Sequence, residues 1–467
     1  MPKYYLAIDI GASSGRHMLA YMENGRFKLE EIYRFENGMI RENGKLLWDT
    51  DRLFEEIKEG MKRCRELGMI PYSMSIDTWA VDYVLLDQED NVLGNTYAYR
   101  DDRTNGCDEL VYEHISENQL YARTGIQKQK FNTIYQLMAV KRDHPEVLDK
   151  TKSLLMLPDY FQFKLTGNKM SEYTNATSTQ LVDPKTGQWD RTLIELLGYP
   201  SGAFLELHMP GTEVGDLSIN IQKEVGFNCK VLMCASHDTA SAVMAVPDEQ
   251  GNGIYISSGT WSLMGVELNA ADCSKQSQEA NFTNEGGYEM RFRHLKNIMG
   301  LWMIQSVRNE LGKKHSFAEL CLMAEKNKDF PSRVDVNDPS FLAPESMIVA
   351  IKEYCKKTEQ KEPLTVGELA AVIYESLASC YGQTVRDIEQ GVQKQYDKIH
   401  VIGGGSNADY LNMLTAKATG KTVYAGPSEA TAIGNAMSQM IRDGVFSSLR
   451  EARSCVKESF DIKCFNA

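Results

Sequence analysis

Two stretches far apart in the chain carry the same pattern: an apolar strand, a turn stripped of large side chains, and a second apolar strand. The first is YLAIDIGASSGRHMLAYM, Tyr5 to Met22, and the second is GIYISSGTWSLMGVEL, Gly253 to Leu268. The same hairpin type at the head of each half predicts two domains built on a related core. A length of 467 residues agrees, being too great for one ordinary core. A polar, glycine-bearing join, DEQGNG, follows Pro247. The expected domains are therefore residues 1–246 and 247–467.

Such a turn has two readings. Gly and Ser suit any tight hairpin. They also let backbone N–H groups approach an anion closely, while a carboxylate at the strand exit, here Asp9, holds a metal ion or its waters. The turn alone does not choose between them.

Around the hairpins the first half alternates strand-like and helix-like runs, the signature of an α/β fold. DTDRLFEEIKEGMKRCREL reads as an amphipathic helix, and YSMSIDTWAVDYVLLD as a second pair of strands. FNTIYQLMAVKRDHPEVL and LMLPDYFQFKLTG read as helical, and KVLMCASHDTASAVMAV as a buried strand running into a helix. In the second half TVGELAAVIYESLASCYGQTVRDIEQ is a long helix. KIHVIGGGSNADYLNMLTAKATG then reads as strand, triple glycine and helix.

Charge excludes some partners. With 51 basic against 64 acidic residues the net charge is −13, which argues against nucleic acid or an anionic membrane surface. No early stretch has the layout of a signal peptide, and the first apolar run is far too short to span a bilayer. The ten cysteines have no C-x-x-C pair and no zinc spacing, so free thiols in a reducing cytoplasm are expected.

Four motifs could carry chemistry. TGKT, Thr419 to Thr422, is not a phosphate-binding loop of the Walker type, because Thr415 stands where that motif needs glycine and a strand follows the lysine. VIGGGSNAD puts Gly403, Gly404 and Gly405 between a strand and a helix, where a ligand can lie on the backbone, or where the chain simply turns tightly. SHDTASAV puts His237, Asp238 and Thr239 at a strand end. Asp238 is either an N-cap or a carboxylate that takes the proton of a hydroxyl attacking phosphorus. SIDTWAVDYV and YAYRDDRTNG gather Asp77, Trp79, Asp82, Tyr99, Arg100, Asp101, Asp102 and Arg103, the mixture a polyhydroxylated ligand needs. Together, two phosphate-type hairpins, a glycine-lined helix start and one poised carboxylate favour phosphoryl transfer.

On these segments, and on YRDDRTNG, EYTNATSTQLVD, SSGTWSLMG, TNEGG and LKNIMGLW, the chain resembles the FGGY family of sugar kinases, within the actin/hexokinase superfamily, over essentially its full length. The resemblance implies two actin-like (ribonuclease H-like) α/β domains separated by a catalytic cleft. It implies phosphorylation of L-rhamnulose at O1 by ATP with Mg²⁺, the competing ketoses being L-fuculose and L-ribulose. A sugar sensor that binds ATP without transfer is a further alternative, and monomer and homodimer are both compatible.

By the same resemblance, Asp238 is the base, and His237, Asp238, Thr239, Ala80 and Asn297 touch the sugar. Ala12, Ser13, Ser14, Gly15, Arg16, Thr260, Gln305 and Gly404 touch the nucleotide, and Asp9 serves the metal. Two positions depart from the family pattern. Ala80 stands where glycine is usual, and Tyr99 replaces a tryptophan, which argues against a glycerol or xylulose pocket.

Overall fold

The computed structural model describes residues 2–467. By packing, the chain divides into two compact units. One contains Met1–Ala245, Glu267–His294 and Thr431–Ser459; the other contains Val246–Val266, Leu295–Ala430 and Phe460–Ala467.

The sheet of the first unit runs, in order, Glu213–Asp216, Lys230–Leu232, Pro71–Thr78, Tyr4–Ile10, Ser14–Glu23, Arg26–Glu36. Tyr4–Ile10 is the central strand. It pairs antiparallel with Ser14–Glu23, where Ile10 faces Gly15, and parallel with Pro71–Thr78, where Asp9 faces Asp77. Its near-continuous apolar run is that of a strand covered on both faces. The helix Thr50–Glu66 buries Leu53, Phe54, Ile57, Met61 and Cys64 at helical spacing and is capped by Asp49, whose carboxylate accepts from the Arg52 N–H. These side chains join Leu6, Ile8, Ile10 and Ile76 in one core. A second core of the same unit gathers Tyr83, Leu137, Phe204 and Trp189.

In the second unit the strand Ile254–Ser258 pairs antiparallel with Ser262–Leu268 and parallel with Lys398–Ile402. The first unit has the same arrangement around Tyr4–Ile10, so both expected hairpins form, in matching surroundings. The long helix is Val366–Val392, started by a capping box between Thr365 and Glu368. No helix among the described residues is long and apolar enough to cross a membrane. All ten cysteines are free.

Two local expectations need correction. Pro71–Thr78 and Tyr83–Leu86 are both strands but do not pair; the second pairs with Ser153–Met156 in a separate two-stranded sheet. Alternation marks a strand and carries nothing about its partner. The run through DHPEVL is two helices, Thr133–Asp143 and Pro145–Lys150, because Pro145 forces His144 out of helical geometry.

Candidate active site

Within the first unit, three carboxylates converge on the exits of the central strands. Asp9 leaves the first strand and is buried, with Arg16 Nε and Nη2 donating to its Oδ2 at 3.1 and 3.0 Å. Asp77 lies beside it in register, wholly buried, and accepts from Asn435 Nδ2 at 2.6 Å. Its Oδ1 has no protein hydrogen bond. Burial, and then the charges of Asp9 and Asp238, push the Asp77 carboxyl well above the usual range.

Asp238 begins the helix Asp238–Met244, and His237 is the residue before it. The Asp238 side chain keeps 35% of its surface, but its carboxyl is largely desolvated. That desolvation, followed by the negative charge of Asp9, raises it to about 6. Thr239 donates to Asp238 Oδ1 twice, from its N–H at 2.6 Å and its hydroxyl at 2.9 Å.

Behind this turn Glu172 acts as a buried hub. It accepts from the N–H groups of Thr174 (2.7 Å), Asn175 (3.0 Å) and Ser236 (3.2 Å), and from the hydroxyls of Thr174 (2.7 Å) and Ser236 (2.6 Å). The segment EYTNAT is thereby tied to the strand end that carries Asp238.

The first small-residue turn closes on a Gly11 N–H to Ser14 carbonyl hydrogen bond of 2.9 Å, braced by Asn37, which donates to the Gly11 carbonyl. Ala12 and Ser14 are half-buried, Ser13 is exposed, and Arg16 reaches back to Asp9. Gly15 is required by packing, since a Cβ there would stand 2.1 Å from Phe35 Cζ. Ala80 is half-buried, just after the strand that carries Asp77.

Of the polar cluster after Ala80, Asp82, Asp101 and Arg103 are buried, while Arg100 and Asp102 are exposed. Asp82 is buried and accepts from Trp48 Nε1 (2.6 Å), Trp79 Nε1 (2.9 Å), Gln136 Nε2 (3.0 Å) and the Tyr99 N–H (3.1 Å). Asp101 accepts from the N–H groups of Leu46 and Arg103. The expectation that Trp79 and Asp82 present themselves to a ligand is corrected: their polar atoms already satisfy one another.

The remaining expected residues lie in the second unit. Thr260 sits in its hairpin turn and donates from its hydroxyl to Gln305 Oε1 at 3.3 Å. The strand Lys398–Ile402 exits into Gly403, whose φ of +80° favours glycine, and into Gly405, where a Cβ would stand 1.9 Å from Ser258 Oγ. A Cβ at Gly404 would meet nothing within 4 Å, so this backbone is open to a flat or anionic ligand. Asn297 is half-buried on the strand Phe292–Ile298. As expected, TGKT leads into a strand, Thr422–Ala425.

Among the described residues no group of three or more His, Cys, Asp or Glu side chains is arranged to hold a metal ion by itself. Hard carboxylate oxygens that repel one another, Asp9 against Asp238, suit a divalent cation that arrives on nucleotide phosphates and needs few protein ligands. Sequence reading missed Glu172, Glu285 and Arg293. The last two form a buried pair with Arg293 Nη2 3.1 Å from Glu285 Oε2, and Arg293 Nη2 stands 3.0 Å from His237 Nδ1. Arg293 lies in none of the motifs, and TNEGG contains Glu285 without showing what it pairs with.

Comparison with known proteins agrees over the whole length. The family model "FGGY family of carbohydrate kinases, N-terminal domain" matches residues 4–245, and its C-terminal counterpart matches residues 254–442. Proteins named rhamnulokinase are similar throughout. That of Halalkalibacterium halodurans is 51% identical over 460 residues, covering 98% of each chain. That of Bacillus subtilis is 44% identical over 462 residues, covering 99% of this chain and 95% of the relative. Among solved structures, a gluconate kinase from Lactobacillus acidophilus superposes with a TM-score of 0.79 at 16% identity, covering 100% of this chain and 94% of that one. Plasmodium falciparum glycerol kinase with ADP does so with a TM-score of 0.77 at 14% identity, covering 99% and 94%.

Proposed function

The chain belongs to the FGGY family of carbohydrate kinases, and on that premise we propose that it transfers the terminal phosphoryl group of ATP to the C1 hydroxyl of L-rhamnulose. Asp238 is the general base. The observation that carries the reading is the state of that carboxylate. One oxygen is held by Thr239, and the group's pKa is raised to about 6 by burial and by Asp9. A carboxylate so placed is ionised at neutral pH and more basic than an ordinary aspartate, which suits it to receive a proton as a hydroxyl attacks. The choice of ketose is supported by similarity to rhamnulokinases at 40–51% identity over nearly the full chain.

In this mechanism residues 1–246 hold the sugar through Ala80, His237 and Thr239, with Asn297 of residues 247–467 as a further sugar contact. Asp238 removes the proton from the attacking oxygen. Arg16 and the amides of Ala12, Ser13, Ser14 and Gly15 stabilise charge on the transferring phosphate. Thr260, Gln305 and Gly404 bind the nucleotide. Asp9 is the carboxylate that would hold Mg²⁺ or its waters, and the ion would supply further neutralisation of phosphate charge when bound.

ADP release measured with L-rhamnulose, L-fuculose, L-ribulose and no sugar tests the assignment. The highest kcat/KM is expected with L-rhamnulose. A preference for another ketose would reassign the substrate, and ADP release that no sugar stimulates would point to a sensor.

A further inference from the structure

We infer that Arg293 is a positioning residue that holds His237 as the neutral tautomer protonated on Nε2, and through it orients the Thr239 hydroxyl against Asp238. The inference rests on the reading of Asp238 as the base.

Donors and acceptors around His237 fix its tautomer. His237 is buried, and its two ring nitrogens face different partners. Nδ1 lies 3.0 Å from Arg293 Nη2, and Nε2 lies 3.1 Å from Thr239 Oγ1. A guanidinium only donates, so Nδ1 must accept. In a neutral imidazole the proton then sits on Nε2 and is donated to Thr239 Oγ1. Thr239 Oγ1, having accepted, donates its own proton to Asp238 Oδ1 at 2.9 Å. The relay runs one way, Arg293 to His237 to Thr239 to Asp238. All these polar contacts of Asp238 fall on Oδ1, which leaves Oδ2 as the oxygen to take the substrate's proton.

The charges facing His237 fit this role. Glu285 Oε2 stands 3.4 Å from Nδ1 and Asp238 Oδ1 stands 3.4 Å from Nε2; two carboxylates so close would ordinarily draw a second proton onto the ring. Burial and the Arg293 cation oppose that, and hold His237 well below its ordinary pKa. Arg293 is itself fully buried, donates from Nε to the Gly286 carbonyl at 3.0 Å, and leaves Nη1 without a protein hydrogen bond. The same Nη2 also pairs with Glu285 Oε2 at 3.1 Å, so one nitrogen of a buried, charge-compensated guanidinium is fixed where it faces His237 Nδ1. An imidazolium at this place would set a positive charge against the base and weaken it.

The test is nitrogen NMR of the full chain labelled in its eight histidines, with the His237 ring assigned by loss of its signals in His237→Gln. The wild type is expected to show Nε2 protonated and Nδ1 bare between pH 6 and 8. A proton on Nδ1, or a charged ring in that range, overturns the inference without any variant. In Arg293→Met the ring should mix tautomers or titrate near neutral pH, kcat should fall about tenfold or more at pH 6.5 and partly recover at higher pH, and ketose KM should change less. Arg293→Lys, which keeps a donor and a charge, should keep the tautomer and restore kcat to within several-fold. An unchanged tautomer and a uniformly scaled pH profile in Arg293→Met would make the residue merely structural. If that variant does not fold, the wild-type spectrum and Arg293→Lys decide. Because the tautomer is read without turnover, failure of Asp238 as base would show separately, as activity retained in Asp238→Asn.

Discussion

At the residue scale, three carboxylates stand in unlike environments. Asp9 is paired with Arg16, Asp77 is sealed in, and Asp238 keeps a third of its side chain open. A base with a pKa of about 6 must lose its proton before it can act. The kcat/KM for ketose is therefore expected to fall tenfold per pH unit below about pH 6, as a pH series of ADP release will show. The same shift has a stability consequence. An unfolded Asp titrates near 3.9, so the native state binds the extra proton, and ionising Asp238 destabilises the fold progressively as pH rises from about 4 to about 6. Asp238→Asn should thus melt at or above the wild-type temperature at pH 7.5, with the difference vanishing at pH 4. At Gly15 the constraint is steric: Gly15→Ala drives a methyl group into the Phe35 ring and should cost about 1–3 kcal/mol in urea unfolding.

At the element scale the local patterns were good guides and the pairings were not. The hairpin Tyr4–Glu23 and the turn from Lys230–Leu232 into Asp238–Met244 were legible because each is contiguous, and strand, small residues and helix follow in order. Asp82 was misread because its partners Trp48 and Gln136 lie 34 and 54 residues away in sequence. Only Trp79 is a nearby partner, and it does not reveal that both oxygens are taken. Arg293 was invisible for the same reason, lying 56 residues from His237, and TNEGG contains Glu285 without showing its partners. Glu172 could have been suspected from its place before Thr174 and Asn175, as an N-cap, but its bonds to Ser236 needed the fold. Because those bonds join two elements, Glu172→Gln should lose about 2 kcal/mol or more, read as a lower urea midpoint. In the second unit, Gly405→Ala pushes a methyl group against Ser258 Oγ and should raise KM for ATP more than KM for ketose.

At the scale of the whole molecule, the two units repeat one scheme, a hairpin whose first strand also pairs in parallel with a later strand. That repetition was legible from the two small-residue turns. The return of Glu267–His294 and Thr431–Ser459 to the first unit was not, since neither segment carries a local sign of where it packs. The return matters to the chemistry, because it brings Glu285 and Arg293 to His237, and Asn435 to Asp77. The most direct measurement is the turnover of Asp238→Asn with L-rhamnulose and MgATP, beside a thermal shift with sugar alone. A kcat lower by about a hundredfold or more, with the sugar still raising the melting temperature, is the predicted result. Turnover at the wild-type rate would contradict the account.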